Sequence, residues 1–247
     1  MIFHKSSAIF LTILITLLIC TTGELLGFSD KEKGFNKIFN LIYNQQFREA
    51  HAELIQSKNN IERWNYQMLL LDLYWWKAIS SNRDDDFAAL ESVLKEYSTE
   101  LKTTPNPDDL EELICLSYSL RLALIKNRLF SIVGNIYKIN HIIEQFEIHE
   151  LTIEQQDIFN IYLALFNIGK SKLFFYNPKL REEGIKVLES NLTSLNPVYQ
   201  TISIYFLSKI YFELDKSPMK AMIYCEQLCK LYPDNKVFAH NLELCKK

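Results

Sequence analysis

Cys225 and Cys229 are four residues apart, which puts both thiols on one face of a helix, and His240 and Cys245 follow in the next segment. Sulfur and imidazole ligands in such a set could hold zinc in principle. Strong zinc sequences, however, carry close ligand pairs on turns, such as Cys-x-x-Cys, and this segment has none. The same cysteines suit two other roles. A free cysteine commonly packs as a small hydrophobe. In an oxidising compartment, Cys245 could instead bridge to Cys225 or to Cys229. Packing is the favoured role, and no metal or cofactor is expected.

The remaining polar clusters offer little chemistry. Asp84-Asp85-Asp86 lacks the alternating ligands and closing glutamate of a calcium loop. It reads as a helix start, where carboxylates meet the positive end of the helix dipole. His51, His141 and His149 have no serine or cysteine partner at an interpretable spacing. The chain contains no GxSxG, Walker loop, HExxH or glycine-rich phosphate cradle. A non-enzymatic role is expected.

Aromatic density is the more promising signal. Trp64, Tyr66, Tyr74, Trp75 and Trp76 crowd one segment, and Phe174-Phe175-Tyr176 ends another. Neighbouring positions on a helix point about 100° apart, so Trp75 and Trp76 cannot enter the same seam. At least one of them is expected to be exposed on or beside a partner-binding surface that also includes Tyr162 and Phe166, since aromatic side chains dominate binding hot spots.

These residues need a scaffold, and the sequence describes one. Of 247 residues, 48% are hydrophobic and 13% aromatic, enough for a continuous core. Only 6 Gly and 6 Pro argue against an all-β or loop-rich fold. A net charge of −3 without a Lys/Arg stripe excludes the electrostatic footprint of a nucleic-acid binder. Asn106-Pro107, Asn177-Pro178, Asn196-Pro197 and Ser217-Pro218 each pair a good N-cap with a proline tolerated at the first helical position. Thr152-Ile153-Glu154-Gln155 reads as a capping box. Apolar periodicity between these marks predicts helices near 31–45, 47–58, 62–80, 85–103, 107–127, 130–147, 153–175, 178–194, 198–214, 218–231 and 235–245. That is five antiparallel hairpins and a terminal helix.

Near the C-terminus, Tyr211, Ala221, Cys225, Leu228 and Pro233 fall almost where a tetratricopeptide (TPR) repeat places its signature residues. A weaker echo is Phe47-Arg48-Glu49-Ala50 followed by Leu54. Small residues early in the second helix recur at Ala50, Ala88, Gly184 and Ala221, the first two 38 and the last two 37 residues apart. The tryptophan and Leu-Gly positions of the family's first helix are absent. The chain thus resembles a degenerate TPR-like protein. The resemblance implies an all-α fold of antiparallel hairpins stacked as a right-handed superhelix, with 236–247 as a capping helix whose Val237, Leu242 and Cys245 face the stack. It also implies a module that holds another protein against the surface formed by the first helices.

The N-terminus is different in kind. Met1–Lys5 is a short basic start, and Ala8–Cys20 is an uncharged apolar run, shorter than the roughly 20 residues that span a bilayer comfortably. Three fates are open for residues 1–23. Signal peptidase could cut after Thr22 or Gly23. Cys20 could be lipidated, because Leu17-Leu18-Ile19-Cys20 resembles a lipobox, although Ile19 stands where that pattern has a small residue. The segment could also stay as a membrane anchor. All three imply export to the periplasm or cell envelope, with membrane contact only through this segment. Residues 30–247 then form an exported TPR-like interaction or scaffolding domain. Two alternatives are an envelope lipoprotein that takes a glycan or peptide in an aromatic groove and an enzyme without a recognisable motif.

Overall fold

A computed structural model describes residues 30–105, 107–146, 151–173 and 177–247. The leader at 1–23 with Cys20, and Asn106, His149 and Phe174-Phe175-Tyr176, lie outside the described residues. The described chain is all-helical: α1 Asp30–Tyr43, α2 Phe47–Ser57, α3 Arg63–Ser81, α4 Asp84–Thr103, α5 Asp109–Ile125, α6 Leu129–Gln145, α7 Ile153–Leu173, α8 Pro178–Ser190, α9 Pro197–Lys209, α10 Pro218–Leu231 and α11 Lys236–Cys245. A single π turn, Ile210–Leu214, extends α9. No described helix is long and apolar enough to cross a membrane.

Several helix starts follow capping residues, whereas α2, α3, α4 and α6 begin without a side-chain cap. The side chain of Asn177 accepts from the Lys179 and Leu180 amides, and that of Asn196 from the Val198 amide, each just before a proline. Thr152 and Gln155 bond reciprocally, amide to side chain. At α5 the start falls two residues later than 107. Asp108 is the cap, accepting from the Leu110 amide at 2.8 Å, with Asp109, Glu111 and Glu112 in the first turn where the helix dipole favours them. Ser217 makes no side-chain cap, so Pro218 alone fixes the start of α10. Between the helices of a pair, the chain turns through a left-handed residue at Gln45, Asn82, Asn127 and Lys216. The same device in four hairpins is a structural repeat that the residue types at these positions conceal.

The two helices of a hairpin differ in burial. Second helices bury one stripe: Ala50 and Leu54 on α2, Gly184, Ile185 and Leu188 on α8, and Ala221, Cys225 and Leu228 on α10. The first helices α3, α5 and α9 are buried on nearly every side, as their nearly continuous apolar sequences require. These inner helices meet in order, α1 on α3, α3 on α5, α5 on α7 and α7 on α9. The last then returns to the first, because α9 also packs on α1.

Both tryptophans are covered, contrary to the expectation of an exposed one: Trp75 by Tyr118 and Arg121 of α5, and Trp76 by this closure. Trp75 is 8% exposed and Trp76 1%. Trp76 sits among Tyr43 of α1, Tyr205 of α9 and Phe238 of α11, with ring centroids 4.8–5.2 Å away. Helix α11 likewise does more than cap an end. Val237 and Leu242 are only half-buried, while Phe238 is fully buried in this aromatic cluster, and α11 packs on α3 as well as on α10.

The small-residue positions divide. Ala50 and Ala221 are fully buried. A Cβ on Gly184 would lie 2.7 Å from the Ala164 carbonyl oxygen, so α7 and α8 approach as closely as a glycine allows. Ala88 is exposed, which corrects its assignment to helix packing. The buried stripe of α4 runs Phe87, Leu90, Leu94, Tyr97 and Leu101, one residue out of the expected register. A phenylalanine therefore fills the place assigned to a small residue.

Candidate functional site

The inner helices do not fill the space they enclose. They leave a cavity of about 530 Å³, within the range of small-molecule sites. Its walls come from single helix faces. On α5, Ser117, Leu120, Arg121 and Leu124 stand at i, i+3, i+4 and i+7; on α7, Tyr162, Leu165, Phe166 and Gly169 repeat that spacing. Trp75 and Ile79 of α3, Ile136 and Ile139 of α6, Tyr205 and Phe206 of α9 and Ile210 of the π turn add to the apolar lining. The π turn carries Glu213 and Leu214 to the rim, consistent with the tendency of such turns to serve sites. A Cβ on Gly169 would meet nothing, so part of the open space lies over this residue.

The polar groups are few and placed by neighbours. The Arg121 guanidinium lies 4.7 Å from the Tyr118 ring centre, 5.0 Å from Phe206 and 5.8 Å from Trp75. Burial opposes its charge, but the Tyr118 and Tyr162 phenols and Asp72 outweigh that effect and raise its pKa, so it stays cationic. Behind it, Tyr118 donates a short hydrogen bond to the buried Asp72 carboxylate. Burial raises the Asp72 pKa to about 6, against the lowering effects of the Tyr118 hydrogen bond and the Arg121 charge. Burial and Asp72 together hold the Tyr118 hydroxyl protonated well beyond its ordinary range. At the rim, Lys170 donates to Asn140 Oδ1 at 2.6 Å, and Lys209 pairs with Glu213.

Three of the four aromatic residues singled out from the sequence, Trp75, Tyr162 and Phe166, converge on this cavity; Trp76 does not. Tyr211 stacks on Tyr224 and donates to Glu189 at 3.2 Å, with Ala221, Cys225 and Leu228 buried in the same hairpin and Pro233 exposed in the turn beyond. Cys225 and Cys245 are free thiols 3.9 Å apart, Cys229 is half-buried and His240 exposed. Burial pushes the Cys225 thiol up to about 12, the behaviour of an inert packed cysteine. Among the described residues, no three His, Cys, Asp or Glu side chains gather as a metal would require. Asp86 accepts from Ser81 and pairs with Lys77, while Asp84 and Asp85 are exposed.

Asp72, Tyr118, Arg121, Tyr205 and Phe206 were not singled out by the sequence reading. A signal for two of them exists. Arg121 is the one charge in Leu113–Ile125, and Asp72 the one charge in Trp64–Trp76. A lone charge in a helix apolar on all sides must be buried and held by partners.

Comparison with known protein families, curated proteins and solved structures finds no match for this chain.

Proposed function

We propose that this protein is a non-enzymatic binding module, a TPR-like superhelix of five hairpins wound until its ends meet, with its ligand taken into the central cavity. One observation carries the reading: a cavity of about 530 Å³ bounded by Trp75, Tyr162, Phe166 and other aromatic and aliphatic side chains of the first helices. Small-molecule sites have this character, largely apolar with a few fixed polar groups. A partner protein would instead want a broad apolar face. Against an enzyme stands the position of Asp72, a carboxyl whose pKa burial raises to about 6. It lies behind Tyr118 and does not line the cavity. The apolar Ala8–Cys20 run supports export, so the ligand would be met in the periplasm or envelope, with the module free or tethered through residues 1–23 or a lipid on Cys20.

A second reading has its own observation. On α6, Phe130, Val133 and Tyr137 form one stripe and are 97%, 61% and 74% exposed, a face suited to a partner protein. Solvent extraction of the natively expressed protein, followed by mass spectrometry, tests the cavity. A stoichiometric small molecule, lost in a folded Gly169→Trp variant, is the expected result. An empty extract combined with partner capture that Phe130→Asp abolishes would favour the scaffold reading.

A further inference from the structure

Apolar packing does not account for one side chain in the cavity. Arg121 carries five N–H donors and a permanent charge. Aromatic faces surround it, yet among the described residues no carboxylate or other acceptor lies within ion-pair or hydrogen-bonding distance of it. The carboxyl that acts on it electrostatically, Asp72, is engaged by the Tyr118 hydroxyl. Among the described residues, cations outnumber carboxylates in the lining. Arg121, Lys170 and Lys209 face a single carboxylate, Glu213, in a chain whose net charge is −3. A planar guanidinium in an apolar pocket matches the two oxygens of a carboxylate or phosphate better than any other group.

We infer that the cavity, if it is the binding site proposed above, takes an amphipathic anion: an apolar chain among Ile79, Leu120, Ile139 and Phe166, with a carboxylate or phosphate head against Arg121. The surrounding rings and Tyr118 hold the guanidinium in place before the ligand arrives, so little side-chain freedom is lost on binding.

The test uses the full chain and three probes with one tail, dodecanoate, dodecyl phosphate and dodecanol, each kept below its micelle-forming concentration. Affinities are read by calorimetry and by intrinsic tryptophan emission. One or both anions should bind about tenfold or more tighter than the alcohol, as expected for charge-assisted hydrogen bonds. Whichever anion binds better separates a carboxylate from a phosphate source. Arg121→Met should bring the anions down to the level of dodecanol without weakening dodecanol itself, and Arg121→Lys should recover part of the difference. Equal affinity for alcohol and anions in the unaltered protein overturns the head-group assignment while leaving the cavity as a site. An anion preference that survives Arg121→Met overturns the role of Arg121. Failure of all three probes to bind the unaltered protein removes the cavity reading itself.

Discussion

The side-chain amide of Asn235 donates to the main-chain carbonyl of Tyr43 at 2.7 Å, so a residue near the C-terminus holds the end of the first described helix. The same side chain caps α11 by accepting from the Val237 and Phe238 amides, and it also accepts from Gln45. One buried asparagine therefore joins the ends of the ring and fixes the helix that delivers Phe238 to the aromatic cluster.

Replacing Asn235 separates these roles. Asn235→Ala removes a cap, worth about 1 kcal/mol, and leaves the buried Tyr43 carbonyl without its donor, worth about 1–3 kcal/mol. Asn235→Asp keeps a capping acceptor but loses the donor to Tyr43. Urea unfolding should show both variants destabilised. An aspartate variant as stable as the parent would mean that the link to Tyr43 contributes nothing to closure.

Two glycines on adjacent helices should respond oppositely to alanine. At Gly184 the new methyl would press on the Ala164 carbonyl and the Ile168 side chain, so overpacking should cost about 1–3 kcal/mol. At Gly169 the methyl meets nothing, and the gain in helix propensity should stabilise by about 0.5–1 kcal/mol. Thermal midpoints moving in opposite directions are the expected result. A shift of the same sign at both sites would show that the α7–α8 approach is looser than described.

Asp72 makes stability depend on pH in an identifiable direction. Its pKa rises on folding from the ordinary 3.8 to about 6, so the native protein holds this proton more firmly than the unfolded chain. That contribution is complete below about pH 4 and is lost as pH rises through about 6, a change of roughly 1–3 kcal/mol. Asp72→Asn can still accept from Tyr118 but cannot titrate. Subtracting its stability from that of the parent at pH 4.5 and pH 7.5 should expose this loss. A difference independent of pH would place the Asp72 pKa near its ordinary value.

The helices were legible because their signals are local. Asn177-Pro178, Asn196-Pro197 and the Thr152–Gln155 box act within one turn, and apolar periodicity spans a few more. The site was half legible. Trp75, Tyr162 and Phe166 announce themselves by size, but Arg121 matters only because three helices bring Tyr118, Trp75 and Phe206 around it. The burial of Trp76 depends on α1, α9 and α11 meeting, a contact between residues far apart in the chain with no local mark. Ala88 failed for a smaller reason, since one residue of helical phase rotates a side chain by about 100° and exchanges buried for exposed.

The central claim is that the space between the first helices is a binding site, and a neutral apolar dye such as N-phenyl-1-naphthylamine tests it without involving the charge of Arg121. Fluorescence titration should show saturable binding of one dye per chain, abolished by Gly169→Trp, whose indole would enter the cavity, while the helical circular dichroism and cooperative melting of that variant persist. No saturable binding to the parent, or unchanged binding in a folded Gly169→Trp variant, would contradict it.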